Sequence, residues 1–138
     1  MSKPLPNAHI ACMGRTSVLL VDDNPLFLEQ TSAWLLRESD IEVVGSAASG
    51  AEAVALVERL KPRVVLMDVA MPGMDGLEAT RRLKRLPNPP AVLVLTLHGD
   101  PAYRAAAAAA GAEGFLCKSD LAAELLPCLR RFCNESSQ

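Results

Sequence analysis

Three features are missing from this sequence, and each absence narrows what the chain can do. No apolar run approaches the roughly 20 residues that a membrane-spanning helix needs. Basic residues are not in excess either, because 14 Lys and Arg stand against 16 Asp and Glu, giving a formal net charge of −2. A surface that binds nucleic-acid phosphates needs a concentrated positive field. We therefore expect no membrane segment and no direct nucleic-acid binding by this chain.

The third absence is a cluster of cysteine or histidine residues. Cys12, Cys117, Cys128 and Cys133 show no C-x-x-C spacing. Cys128 and Cys133 fall on different faces of a predicted helix, so the sequence indicates neither a zinc site nor a disulfide framework. Cysteines used in this way favour a reduced compartment, and we predict a cytoplasmic protein.

The sequence does contain a large apolar fraction, 50% of 138 residues, which is enough to form the core of one domain. Residues 1–15 include two prolines and only a short apolar stretch, so we predict a flexible N-terminal tail there. The folded domain is predicted over 16–133, followed by a polar tail over 134–138. That tail is compatible both with a native terminus and with a cut linker.

The most informative stretch runs from Val64 into a loop that is rich in turn signals. Val64–Met67 are four consecutive apolar residues without in-out alternation, which predicts a strand buried on both faces. Asp68 follows at the carboxyl end of this strand. Pro72 and Gly73 then predict a tight turn, and Asp75 is expected to cap the next helix.

Four more short apolar runs alternate with segments of helical periodicity. The predicted strands are Ser17–Val21, Ile41–Val44, Val64–Met67, Ala91–Thr96 and Gly114–Cys117. The predicted helices begin near Asn24-Pro25, Ser49-Gly50, Gly76, Asp100-Pro101 and Asp120, and the third is expected to end near Leu86. Alternating strands and helices form a parallel sheet covered on both faces. We therefore predict an α/β fold with a doubly wound, five-stranded parallel sheet.

This fold brings polar residues from distant parts of the chain to one edge of the sheet. Asp22, Asp23, Asp68, Thr96 and Lys118 all stand at the carboxyl ends of predicted strands. In open α/β sheets, ligands bind outside these strand ends. The convergence predicts a ligand site.

The chemistry of such a site follows from its residue types. Carboxylates that share one cleft repel each other unless a cation joins them, and oxygen ligands favour a hard ion such as Mg²⁺. Asp68 can then act as a nucleophile that forms an acyl phosphate. The Thr96 hydroxyl can donate to a phosphoryl oxygen, and the Lys118 ammonium can neutralise another.

From about Thr16 to Phe132 the sequence resembles the receiver domain of two-component response regulators. The resemblance rests on Asp22-Asp23, on Asp68-x-x-Met71-Pro72-x-Met74-Asp75-Gly76, on Thr96, and on Gly114-Phe115-Leu116-Cys117-Lys118. It implies a flavodoxin-like fold with strand order 2-1-3-4-5.

The resemblance also implies roles for individual residues. Asp68 would be the phosphoacceptor and Lys118 the lysine that pairs with the phosphate, while Thr96 and Phe115 would form a switch pair. The implied ligands of Mg²⁺ are Asp23, Asp68 and the backbone carbonyl of Ala70, with Asp22 helping to position the ion.

A protein of this kind is a phosphoacceptor switch rather than an enzyme with an external substrate. The resemblance implies that Asp68 takes a phosphoryl group from a histidine kinase or a phosphotransfer protein, and that transfer and dephosphorylation are self-catalysed. The fourth helix, fifth strand and fifth helix would then bind a downstream protein or a second copy of the chain.

Three positions depart from the common pattern of the family. Ser119 stands where many relatives have a cis proline, and a non-proline cis bond costs about 2.5–4 kcal/mol, so we predict a trans peptide. Leu97 replaces a residue that is usually small, and Ala70 replaces one that is often polar. None of these departures removes a catalytic group.

Two alternatives to a stand-alone receiver remain open. The chain is compatible with the receiver part of a longer DNA-binding regulator with a helix-turn-helix, because its Gly114–Asp120 segment resembles that subgroup. A more remote alternative is a phosphatase of the haloacid dehalogenase type, which also uses a strand-end aspartate and Mg²⁺. That type needs a second acid two residues later, and this position is Ala70.

Overall fold

A computed structural model of the chain describes residues 15–69, 76–97 and 101–136, with side chains through Phe132. The strands are β1 (Thr16–Val21), β2 (Ile41–Ala47), β3 (Val64–Asp68), β4 (Ala91–Thr96) and β5 (Gly114–Cys117). The helices are α1 (Pro25–Leu35), α2 (Gly50–Leu60), α3 (Gly76–Leu83), α4 (Pro101–Ala110) and α5 (Leu121–Ser136), and a 3₁₀ turn spans Lys118–Asp120. All strand pairs are parallel, and the sheet order is β2-β1-β3-β4-β5. The predicted fold and strand order are confirmed.

The side chains of the central strands alternate between two apolar layers. Val18, Leu20, Leu66 and Leu93 face a layer completed by α1 and α5. The opposite layer, which contains Leu19, Val65, Met67, Val92 and Val94, is covered by α2, α3 and α4. Because both faces are covered, every residue of β3 is buried, as its continuous apolar run predicted.

The edge strand β2 differs from its prediction. It extends to Ala47 rather than ending at Val44, because it continues to pair with β1 up to Val21. Its register with β1 shifts so that Val18 pairs with Val43 but Leu19 pairs with Gly45, which leaves Val44 as the extra residue of a β-bulge.

The helix start signals act as the sequence predicts. The Asn24 side chain accepts hydrogen bonds from the backbone N–H groups of Leu26 and Phe27, at 3.0 and 3.4 Å. At α2, Ser49 Oγ accepts from Glu52 N at 3.1 Å, and Glu52 Oε1 accepts from Ala48 N, one residue before the N-cap, at 2.8 Å. The arrangement resembles a capping box, with the return bond displaced by one residue.

The end of α3 was predicted wrongly. α3 ends at Leu83 instead of Leu86, and its last turn tightens, since Arg85 and Leu86 donate to carbonyls only three residues back. Pro87 follows, and a residue before proline disfavours the helical conformation.

The start of α5 at Leu121, directly after the 3₁₀ turn, agrees with the predicted start near Asp120. The helix extends to Ser136 and so includes residues that the sequence assigned to the polar tail. Every helix in the described ranges is too short or too polar to cross a membrane.

Candidate functional site

Two neighbouring strands place the three aspartates together. Asp22 follows β1 directly and Asp68 is the last residue of β3, and these strands pair so that Val21 lies beside Met67. Carboxylate oxygens of Asp22, Asp23 and Asp68 lie within 4.8 Å of one another. The structure thus brings together three acids that are separated by up to 46 positions in the sequence.

The three acids differ in their exposure to solvent. Asp22 is 1% exposed and Asp68 is 6% exposed, whereas Asp23 is exposed at the surface. Burying an ionised carboxylate is costly unless it is paired or hydrogen-bonded. The two buried acids therefore need partners inside the site, while Asp23 marks the side that opens to water.

Lys118 supplies the positive charge of the site. Its Nζ donates to Asp22 Oδ2 at 2.5 Å and lies 3.6 Å from Asp68 Oδ1. The other oxygen of Asp22 accepts from the backbone N–H of Asn24 at 2.9 Å. Asp22 is thus held through both of its oxygens, whereas Lys118 approaches Asp68 only at ion-pair distance.

The surroundings of Asp68 shift the pKa of its carboxyl group. Burial, and after it the negative charges of Asp22 and Asp23, raise the pKa of Asp68 to about 6, although Lys118 acts in the opposite direction. A carboxyl whose ionised form is disfavoured in this way is one that a bound cation would stabilise.

The donor set fits a hard divalent cation. Within the part of the chain that the structure describes, it consists of carboxylate oxygens with no nitrogen or sulfur ligand, which suits Mg²⁺ better than a transition metal. The predicted third protein ligand, the carbonyl of Ala70, lies outside the described residues. The predicted turn at Pro72-Gly73 and the caps at Asp75 and Asp100 lie outside them as well.

Thr96 and Phe115, the predicted switch pair, lie on the same side of the sheet. Val94 pairs with Phe115 and Thr96 pairs with Cys117, so strand alternation puts Thr96 and Phe115 on the side covered by α4. Thr96 is 4% exposed and ends β4, one residue beyond Leu95, which pairs with Asp68. The guanidinium carbon of Arg104 lies 4.8 Å from the centroid of the Phe115 ring.

The peptide between Lys118 and Ser119 is trans, as the sequence predicted, since no cis peptide occurs among the described residues. Leu97, the second departure from the family pattern, is exposed at the end of β4. Its carbonyl accepts from the Cys117 thiol at 3.3 Å.

Sequence reasoning missed two residues that contact the site. Phe27 was not predicted to lie near the site, yet its ring centroid lies 4.3 Å from Lys118 Nζ. Gly76 was predicted only as a motif residue at the start of a helix, yet a Cβ atom there would lie 1.9 Å from the carbonyl oxygen of Asp68, a separation that no side chain can occupy. The helical spacing of Phe27, Thr31 and Trp34 indicates that Phe27 faces inward, but nothing in the sequence indicates its charged neighbour.

Comparison with known proteins gives a consistent result. The family model described as "Response regulator receiver domain" matches residues 18–130. Transcriptional regulatory protein LiaR of Bacillus subtilis is 41% identical over 113 residues, which make up 82% of this chain and 54% of that protein. Response regulator protein VraR of Staphylococcus aureus is 40% identical over 116 residues, 83% of this chain and 54% of that protein.

Solved structures agree with the fold. A two-component response regulator of the LuxR family from Aurantimonas sp. SI85-9A1 superposes with a TM-score of 0.82 at 32% identity, covering 88% of this chain and 87% of that one. The receiver domain of the response regulator NarL from Mycobacterium tuberculosis gives 0.76 at 34% identity, covering 85% and 98%. The chain spans about half the length of the curated relatives named above. By its fold, its strand-end acids and these matches, the chain belongs to the response regulator receiver domain family.

Proposed function

We propose that this chain is a phosphorylation-controlled switch in a two-component phosphorelay, in which Asp68 accepts a phosphoryl group from a histidine kinase or a phosphotransfer protein. The observation that carries the proposal is the meeting of three carboxylates and one ammonium at the carboxyl edge of the sheet. An acid cluster with its own lysine suits a phosphoryl group that brings both negative charge and oxygen ligands.

The transfer forms a bond between a carboxylate oxygen of Asp68 and phosphorus, while the bond between phosphorus and the donor breaks. Asp68 must be ionised to attack, and a pKa of about 6 leaves it mostly ionised at neutral pH. Asp23, Asp68 and the Ala70 carbonyl would hold a bound Mg²⁺, and Asp22 would help to position it. The ion would supply Lewis-acid stabilisation of the phosphoryl oxygens. Thr96 would donate its hydroxyl to one phosphoryl oxygen, and Lys118 would neutralise another.

The phosphoryl group is removed by hydrolysis, in which water attacks phosphorus, the bond between phosphorus and the Asp68 oxygen breaks, and inorganic phosphate is released. The catalytic groups for both steps belong to this chain, so the protein would catalyse its own phosphorylation and dephosphorylation. It would act as a switch and not as an enzyme with a separate substrate. It would act as a phosphoprotein in the cytoplasm, consistent with its scattered cysteines.

The output follows from the position of Thr96. A phosphoryl group on Asp68 would draw the Thr96 hydroxyl inward, and Phe115 on the same side of the sheet would move with it. The surface formed by α4, β5 and α5 would then change its affinity for a downstream protein or for a second copy of the chain.

A second candidate is that this chain is the receiver part of a longer DNA-binding transcriptional regulator. The observation in its favour is that the chain spans about half of LiaR, which is named a transcriptional regulatory protein. In that case the same switch would control a DNA-binding domain elsewhere in the polypeptide. The phosphatase alternative is disfavoured because Ala70 lacks the second acid.

Mass spectrometry of the intact protein tests the phosphoacceptor. Incubation with acetyl phosphate and Mg²⁺ should add one phosphoryl group to the wild-type chain and none to Asp68→Asn. Asp23→Ala should require more Mg²⁺ for the same labelling, while Glu58→Gln, which changes an exposed acid of α2, should behave like wild type. Undiminished labelling of Asp68→Asn would contradict the assignment.

A further inference from the structure

We infer that Phe27 is a positioning residue for Lys118, holding its ammonium group at the edge where phosphoryl chemistry takes place. The kinetic consequence of this inference rests on the proposed function. Its structural content, that the aromatic face rather than mere bulk keeps the ammonium in place, can be tested separately.

Three groups surround the Lys118 ammonium. Its Nζ lies 4.3 Å from the Phe27 ring centroid, 2.5 Å from Asp22 Oδ2 and 3.6 Å from Asp68 Oδ1. The first distance is well inside the roughly 6 Å at which an aromatic face attracts a cation. The Lys118 side chain is 16% exposed, so this attraction operates with little competition from water.

The ring offers something that the two carboxylates do not. Lysine has a long, flexible stem, and holding it in one place costs side-chain entropy. If Asp22 were its only partner, the ammonium would stay bound to that acid and away from Asp68. It would move into solvent whenever the hydrogen bond to Asp22 broke. Phe27 attracts the ammonium without carrying charge, so Lys118 can exchange a carboxylate oxygen for a phosphoryl oxygen while it remains at the edge.

The placement of Phe27 is built by the same short segment that fixes Asp22. The backbone N–H of Asn24 donates to Asp22 Oδ1 at 2.9 Å, and the Asn24 side chain accepts from the backbone N–H of Phe27. Pro25, the first residue of α1, restricts the backbone between them. The turn between β1 and α1 therefore sets the anionic and the aromatic partner of Lys118 together.

Phe27 also packs against the apolar layer under α1, so an effect of its removal on stability alone would prove nothing. The discriminating comparison keeps the apolar volume and changes the aromatic face. Phe27→Leu removes the ring, and Phe27→Tyr restores it. Trp34→Leu is the matched control, because Trp34 is a second partly buried aromatic residue of α1 that packs on the same layer.

The first measurement is the NMR shift of the Lys118 side chain in Mg²⁺-free protein labelled with ¹³C-lysine. Ring currents should displace the Lys118 ε-methylene protons in the wild-type chain, in Phe27→Tyr and in Trp34→Leu, and the displacement should vanish in Phe27→Leu. Lys118→Arg assigns the signal by deleting it. An unchanged Lys118 shift in a folded Phe27→Leu protein would overturn the inference.

The second measurement is the rate of phosphorylation by acetyl phosphate at saturating Mg²⁺. Phe27→Leu should slow it roughly three- to tenfold, with recovery in Phe27→Tyr. Equal slowing in Phe27→Leu and Trp34→Leu would also overturn the inference, since it would indicate a general loss of packing. If the wild-type chain is not phosphorylated at all, the proposed function fails, and the lysine shift still decides whether the ring holds the ammonium.

Discussion

Asp68 bears an electrostatic cost that Lys118 only partly offsets. Its carboxyl is nearly inaccessible to water and faces two further acids, and these effects raise its pKa to about 6 from an ordinary value of 3.8. Between these values the folded chain binds more protons than the unfolded chain, so stability falls as pH rises. Above pH 6 the whole cost, roughly 2 to 3 kcal/mol, remains in the folded protein.

Asp68→Asn should therefore stabilise the Mg²⁺-free protein by about 2 kcal/mol at pH 7.5, because the amide removes the buried charge. Near pH 3.5, where Asp68 is protonated in the folded state and mostly protonated in the unfolded state, the difference should nearly disappear. Urea unfolding at the two pH values measures it, with Glu58→Gln as the exposed control. A stability gain that grows as pH falls would contradict a raised pKa at Asp68.

At the residue scale, the sequence was sufficient to predict where the charged groups lie, but not which side chains contact them. The strand ends after Val21, Met67 and Cys117 placed Asp22, Asp68 and Lys118 at one edge, because parallel strands share their direction. The contact between Phe27 and Lys118 could not be predicted, since a helical stripe indicates which side is buried and not which atom it meets. The predicted roles of Thr96, Phe115 and Ala70 remain proposals.

At the scale of elements, α3 begins in direct contact with the end of β3. Gly76, its first residue, donates to the carbonyl of Val69 at 3.2 Å, and its missing side chain leaves room for the Asp68 carbonyl. Any β-carbon at this position would collide with backbone, which cannot rotate away. The close approach fixes α3 beside Asp68, the proposed phosphoacceptor.

Gly76→Ala should destabilise the protein by more than about 2 kcal/mol, because backbone must shift to admit the methyl group. Gly45→Ala is the matched control in β2. There a β-carbon would meet the terminal methyl groups of Leu60 and Leu19 at 3.0 and 3.4 Å, and these side chains can move. Urea unfolding should give a clearly smaller loss of unfolding free energy for Gly45→Ala. Equal losses for the two variants would show that α3 can shift at little cost to admit the methyl group.

α4 packs on the sheet through small side chains. Its buried side chains are Ala107 and Ala110, so it buries little more than methyl groups on the sheet. At about 0.8 kcal/mol per buried CH₂, it is held several kcal/mol less firmly than a helix that presents leucines. Arg104, on the same helix, stacks on Phe115, which links α4 to the proposed switch residue.

Hydrogen exchange should therefore change more in α4 than in α1 when the site is occupied. With Mg²⁺ present, adding beryllofluoride as a phosphoryl mimic should alter amide protection in Pro101–Ala110 by a larger factor than in Pro25–Leu35. Asp68→Asn treated in the same way provides the baseline. Equal changes in the two helices would leave α4 as a passive part of the scaffold.

At the scale of the whole molecule, the topology creates the site, and this was the most predictable level. Short apolar runs alternating with helical segments were enough for the five-stranded sheet and, with the family resemblance, for its order. The bulge at Val44 and the early end of α3 at Leu83 were not predicted. Both depend on how an element packs and on neighbouring turns, rather than on the periodicity of the element itself.

We expect this topology to make Asp68, and not its neighbouring acids, the phosphoacceptor. The most direct measurement is borohydride reduction of the protein after incubation with acetyl phosphate and Mg²⁺, followed by peptide mass spectrometry. Reduction converts a phosphorylated aspartate to homoserine, so the modified position can be read from the peptide. Homoserine is expected at position 68, and only when Mg²⁺ is present. Homoserine at position 22 or 23, or none at position 68, would contradict it.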